Sequence, residues 1–257
     1  MTFEEYINNP LESRMTAHTR EIYKMDYTNR LNAVLVRENN KIDFHLYIAK
    51  DGSYYMYIKI PSEKVKGFTY DVVVRFKRPA EDPHKVDTQK DLKQYDVEFF
   101  SNDPAFVFNL EYTFKSHNMF VKDLTKRGSK EALTTKPTVT NPNNVVFYCK
   151  TLYWAYLLGE QRGLFLKSRY LEKYDAKRLF DMVEDSQEKI DRRKEEGTTT
   201  EKKQSRERRE NRQSTSTGSN GISFALKNPV FSIGKAGKNA AMGKVNFNKG
   251  KSISFKK

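Results

Sequence analysis

Four histidines, one cysteine and a few acidic pairs are the residues of this 257-residue chain with the types that chemistry needs, and their spacing limits what they can do. His18, His45, His84 and His117 fall in four different predicted elements with no i, i+4 pair, so a metal site would have to be assembled wholly by the fold. Single scattered histidines are ordinarily core or surface residues, and no metal is expected. Cys149 stands alone, which excludes an intrachain disulfide and any zinc site built on two thiolates. It lies on an apolar stripe, where packing explains it better than nucleophilic catalysis, which needs an accessible electropositive setting. The pairs Glu81 with Asp82 and Asp181 with Glu184 lie on predicted loops or solvent faces, and nothing in their placement brings them together across a cleft. The run Gly234-Lys235-Ala236-Gly237-Lys238-Asn239 lacks the spacing of a phosphate loop: Ser232 stands where the first glycine belongs, and Asn239 follows the lysine. No dinucleotide fingerprint and no nucleophile elbow appears. The expectation is a protein that is not an enzyme and takes no cofactor.

Aromatic residues offer a different chemistry. Tyr54-Tyr55-Met56-Tyr57-Ile58-Lys59 interleaves rings with a cation, and Tyr55, Tyr57 and Lys59 share one face if the segment is a strand. Such a face can stack the bases of a single strand. A sheet packed on helices also needs aromatic residues, and that use competes for the same side chains.

Charge is distributed unevenly. The chain carries +14 in all, and the segment from Ile190 to Lys257 holds 17 Lys and Arg against 6 Asp and Glu, leaving only +3 for the first 189 residues. Residues 191–220 mix charge with Gly, Ser and Thr and have almost no apolar side chains, so they cannot bury enough surface to offset chain entropy and are expected to form a disordered linker. Residues 221–257 carry eight lysines and no acid, with apolar groups returning in alternation around Phe224, Phe231, Phe247 and Phe255. Alternation suits a strand with one face buried, yet the intervening glycines break it too often for an independent sheet. This segment reads as an extended arm that orders on a partner, its phenylalanines filling pockets while Lys235, Lys238, Lys244, Lys249 and Lys251 reach acidic protein or phosphate.

The first 190 residues read as one globular body. Thr16 caps a predicted helix to about Glu38, with Tyr23, Tyr27, Leu31, Val34 and Leu35 on its core stripe. Lys41–Ala49 and Tyr54–Ile60 alternate about Asp51-Gly52, a type I′ hairpin signal. Phe68–Lys77 and Gln94–Phe100 add two strands, separated by a proline-rich charged loop. Asn102 or Asp103 caps a helix with Pro104 in its first turn. Asn141-Pro142 looks like a second such start, leading a central helix through Val145, Tyr148, Cys149, Leu152, Tyr153, Tyr156 and Leu157. A last helix is expected over about Lys167–Glu188. The fold class is therefore α+β: an antiparallel sheet of about four strands packed with helices, followed by the long basic arm. The opening MTFEEYINNP lacks the basic flank and apolar stretch of a secretory signal. Val145–Leu158, the longest apolar stretch, contains Lys150 and is too short to cross a bilayer core of about 30 Å. A soluble protein without a membrane span, made in a reducing compartment, is expected.

Two segments carry a family resemblance: Tyr95-Asp96-Val97-Glu98-Phe99-Phe100-Ser101-Asn102-Asp103-Pro104-Ala105-Phe106, and Thr140-Asn141-Pro142-Asn143-Asn144 followed by Tyr148, Lys150, Tyr153 and Tyr156. In them the chain resembles uncharacterised virion structural proteins of tailed bacteriophages infecting Gram-positive bacteria, over roughly residues 1–170. The resemblance implies a non-enzymatic component of the particle at the neck, connector or inner head, made in the host cytoplasm. It carries no functional residues onto this chain. The expected partners are other virion proteins in a homo-oligomeric ring or shell, with the arm contacting neighbouring subunits or packaged DNA. The alternative is a phage nucleic-acid-binding accessory protein acting in replication or transcription, reading single strands through Tyr55 and Tyr57.

Overall fold

Four strands that are mostly buried form the centre of the fold: β1 (Phe44–Ile48), β2 (Tyr54–Pro61), β3 (Thr69–Phe76) and β4 (Val97–Ser101). Each pairs antiparallel with its neighbour in sequence. The computed structural model describes residues 1–8, 16–78, 91–170 and 172–196, all within the first of the two units into which the chain divides, Met1–Glu207 and Arg208–Lys257. A fifth strand, β5 (Glu172–Lys173), adds parallel to β1, so the order across the sheet is β4-β3-β2-β1-β5. The class is α+β, with five strands rather than about four.

Both faces of this sheet are covered. Leu46, Met56, Ile58, Val72, Val74, Phe76 and Phe99 form one face, beneath α1 (Phe3–Asn8) and α5 (Lys150–Gln161). Phe3 sits edge-on to Phe99, Tyr156 and Phe165, with ring centroids 5.1 to 5.8 Å apart, and helix α2 (Ala17–Arg37) packs on the outer side of α5. The opposite face carries His45, Tyr47, Tyr55, Tyr57, Asp71, Arg75, Glu98 and Phe100. Chain from 119–124 and from 172–186 closes over it, including α6 (Ala176–Met182).

Local capping chemistry sets several boundaries as expected. Thr16 accepts from the Thr19 amide at the start of α2, and Asp103 accepts from the Ala105 amide at the start of α3 (Pro104–Ser116). Leu31, Val34 and Leu35 are buried on α2, but Tyr23 at the head of the stripe is 41% exposed. The β1–β2 connection differs from a two-residue type I′ turn. The Gly52 amide bonds the Ala49 carbonyl and Gly52 alone adopts positive φ, +80°, which is the three-residue loop closed by a left-handed glycine. Asp51 stays out of the left-handed region while its carboxylate accepts from the Ser53 amide and hydroxyl.

Two helices begin or break elsewhere than periodicity indicates. Val145–Cys149 is not helical; α5 starts at Lys150, eight residues beyond Pro142. Asn141 caps no helix, because its side chain bonds the Val145 amide and carbonyl, the Asn109 carbonyl and the Thr113 hydroxyl, tying the loop to α3. The Tyr6 hydroxyl accepts from the Cys149 amide and donates to the Phe147 carbonyl, both at 3.0 Å, holding this stretch extended. The expected helix over 167–188 is three pieces: a 3₁₀ turn at Lys167–Arg169, α6, and a helix α7 over 186–196. Asp175 caps α6 and the Asp185 carboxylate takes the Gln187 amide at the head of α7. Helix α7 runs across Ile190, where charge alone placed the edge of the body. The arm with Phe224, Phe231, Phe247 and Phe255, most of the linker, and most of the proline-rich loop lie outside the described residues.

A buried acid on α3 gives the fold a pH signature. Glu111 is fully enclosed; Oε2 accepts from the Ser129 amide at the start of α4 (Lys130–Thr134), and Oε1 has no partner among the described residues. Gly128 leaves room for the carboxyl group, since a Cβ there would collide with Oε1. Burial pushes the Glu111 carboxyl from 4.5 up to about 8. The folded protein therefore holds a proton that the unfolded chain releases, and the stability this proton supplies is complete below about pH 4.5 and lost as pH rises through about 8. Glu111→Gln, neutral at every pH, is expected to match the wild type near pH 5 and to exceed it by roughly 1–3 kcal/mol above pH 8, measured by urea unfolding across that range.

Candidate functional site

The face proposed for base stacking is closed. Tyr55 and Tyr57 are 3% and 0% exposed, so neither ring is free to receive a base. Tyr55 stacks on Tyr174 at 3.9 Å and 10°, and both hydroxyls bond the Asp123 carboxylate. The Tyr57 hydroxyl donates to Asp71 at 2.9 Å. Lys59, on the same side of β2, is half-exposed and lies 3.6 Å from Asp43. The alternation placing Tyr55, Tyr57 and Lys59 on one face is thus correct, while the covering chain from 172–186 converts that face into a second core.

Asp71 organises this second core. Its carboxylate accepts from the Tyr57 hydroxyl, from the Asn102 side-chain amide at 2.7 Å and from the Glu184 backbone amide at 3.1 Å. Its own amide donates to Asn102 Oδ1 at 2.7 Å. Burial raises the Asp71 carboxyl above its ordinary range, while Lys189 nearby and these donors oppose that rise. Farther along the same face Glu98, opposite Arg75 and 2% exposed, is matched by Arg75 at 3.1 Å and Lys77 at 3.0 Å. These are carboxylates committed to holding elements together.

Between the end of β2, the heads of α3 and α5, and α7 lies a cleft of about 450 Å³. Ile60, Pro61, Phe108, Trp154 and Ile190 supply apolar walls. Asp103 links the two helix starts, accepting from the Ala105 amide and the Thr151 hydroxyl. Lys150 pairs with Glu63 at 2.7 Å and lies 4.9 Å from the Trp154 ring centre. Arg193 lies over Tyr70, 5.3 Å from the ring centre. No feature of the amino-acid pattern singled out this cleft, because α7 was merged with the preceding helix and the linker.

The remaining candidates occupy separate places. His45 stacks on Tyr47 and lies 3.5 Å from Glu172, and the His117 ring is 3.4 Å from the Asn144 carbonyl. His84 lies outside the described residues, as do Glu81, Asp82 and the run Gly234–Asn239. Among the described residues, no group of three or more His, Cys, Asp or Glu side chains is placed to hold a metal ion. No helix among them is long and apolar enough to cross a membrane. Cys149 is the residue before α5 rather than a member of its stripe; it is buried, and desolvation, with Asp103 nearby, pushes its thiol up to about 12. No family model, curated protein or solved structure matches this chain.

Two outcomes follow from these environments. Cys149 is expected to resist Ellman's reagent at pH 8 in the folded protein and to release one equivalent of chromophore in guanidinium; rapid reaction of the folded protein would show an accessible thiolate. Asp71→Ala strands the Tyr57 hydroxyl and the Asn102 and Glu184 donors, and should cost about 3–5 kcal/mol in urea unfolding.

Proposed function

We propose that this chain is a non-enzymatic structural and assembly protein of a tailed-phage virion, in which the folded body is a rigid unit and the basic C-terminal arm makes contacts with neighbouring proteins or packaged DNA. The observation that carries this reading is charge segregation: +11 of the net +14 lies after Lys189, beside regularly spaced phenylalanines. Internal use of the body's polar groups supports it, since Asp71, Asp103 and Glu98 are spent on joining elements. The rival reading, a nucleic-acid-binding accessory protein working through Tyr55 and Tyr57, would require those buried rings to uncover themselves.

Two measurements test the proposal. Purified particles should contain the chain, and removal of residues 221–257 should reduce its incorporation at least several-fold; absence of the chain from particles would overturn the reading. In an electrophoretic titration with single-stranded DNA at about 50 and 200 mM salt, any binding should fall steeply with salt and vanish without 221–257. Binding that persists in the truncated protein, and weakens with Tyr55→Ala, would support the rival.

A further inference from the structure

The cleft beneath α7 contains two polar groups that its own walls do not satisfy. Tyr70 is 5% exposed, and its hydroxyl has no hydrogen-bond partner among the described residues. Arg193 is partly buried and lies over the Tyr70 ring; Glu196 and Glu63 attract its charge, but no hydrogen bond or ion pair among the described residues engages its guanidinium. Desolvation lowers the Arg193 pKa, as it does for a cation drawn from water without full compensation. Unmet donors in a confined apolar setting are costly, and one acceptor group placed between them would relieve both.

From this arrangement we propose that the cleft docks an acidic peptide segment of a partner protein, one carboxylate meeting Arg193 and Tyr70 while an adjoining apolar side chain lies against Phe108 and Ile190. Charge and shape favour this occupant. Of the cations that line the cleft, Lys150 is paired with Glu63 at 2.7 Å and Lys194 with Asp191 at 3.4 Å, which leaves Arg193 as the one set against the buried Tyr70, and Lys64 adds further positive charge to the walls. A guanidinium accepts a carboxylate through two parallel bonds, which orients as well as attracts it. The confined cleft, about 450 Å³ with apolar walls at Ile60, Phe108 and Ile190, suits a peptide's acidic and apolar side chains better than a nucleic-acid strand. Residues 221–257 have eight lysines and no acidic side chain, so they supply no matching group. Phe108 is 52% exposed at the rim, an apolar contact available to the neighbouring residue of the peptide. The site belongs to the body and stands whether or not the arm proposal holds.

Trp154 is the one tryptophan of the chain and lines the cleft, so its emission reports occupancy directly. The probe is a library of blocked hexapeptides in which each position is scanned over Glu, Gln, Lys and Leu, titrated into the full chain. Peptides with Glu beside Leu should give a saturable change in Trp154 emission, and the matching Gln peptides should bind at least tenfold more weakly. Arg193→Gln should weaken the best Glu peptide by roughly tenfold or more, and Tyr70→Phe by severalfold, with unchanged circular dichroism and thermal midpoint. A library with no Glu-selective member, or Glu-selective binding indifferent to Arg193→Gln, would overturn the proposal. So would an oligothymidylate that saturates the same signal more tightly than every peptide.

Discussion

The Asp71 carboxylate is the constraint on which the arrangement of the body depends. An antiparallel sheet commonly leaves one face to water, and the alternation in β2 and β3 is compatible with that. Here a carboxylate in the middle of β3 receives donors from three places: Tyr57 on the adjacent strand, Asn102 at the entry to α3, and the backbone of Glu184 between α6 and α7. The covering chain is short, and its anchorage is unusually polar for a core. Tyr174 and Tyr55 share Asp123, and Met182 receives the Tyr47 hydroxyl on its sulfur. Buried polar groups of this kind are costly when unpaired and selective when paired, so the network specifies where the cover sits as well as helping to hold it there.

That network also explains which parts of the fold were legible in the amino-acid pattern. Elements defined by their own residues were readable: Thr16 and Asp103 cap α2 and α3, and β1 to β4 follow alternation and turn chemistry. Segments defined by distant partners were not. The apolar spacing from Val145 to Leu157 fits a helix, but the Tyr6 hydroxyl and the Asn141 side chain hold its first five residues extended. The break between α6 and α7 did leave a trace, since Asp175 and Asp185 are both capping residues. A continuous helix from 167 to 188 overlooks them. Strand β5 has two residues and pairs in parallel with β1, too little for any periodicity to show.

The same division applies to the candidate sites. Period two correctly assigned Tyr55, Tyr57 and Lys59 to one side of the sheet, because the pleat alone decides that. Whether the side meets water depends on chain more than a hundred residues away, and Tyr174 and Met182 settle it. Conversely, the cleft under α7 is built from residues that look unrelated in the sequence: Ile60, Asp103, Phe108, Trp154 and Arg193. Arg193 lies in a charged stretch that composition alone assigns to a linker, and only the helix after Ser186 places it against Tyr70.

The edges of the sheet restrict what an extended arm can do. Strand addition needs a free edge of several residues, because the unpaired amides and carbonyls are what attract the incoming strand. The outer edge of β4 is occupied: the Phe99 amide bonds the Met119 carbonyl at 2.7 Å, and the Val121 amide returns to the Phe99 carbonyl at 3.2 Å. At the other side, β5 is only two residues long, and the Tyr174 amide beyond it is already bonded to Ile48. Among the described residues, a second copy of this body thus offers little edge for the arm to extend. If the arm docks as a strand, the described sheet of a second copy is a poor acceptor for it. If the acceptor is another copy, the contact has to come from phenylalanines in surface pockets and lysines on acidic groups. Backbone pairing would then contribute little, and side-chain truncation would weaken the contact far more than proline substitution in the arm.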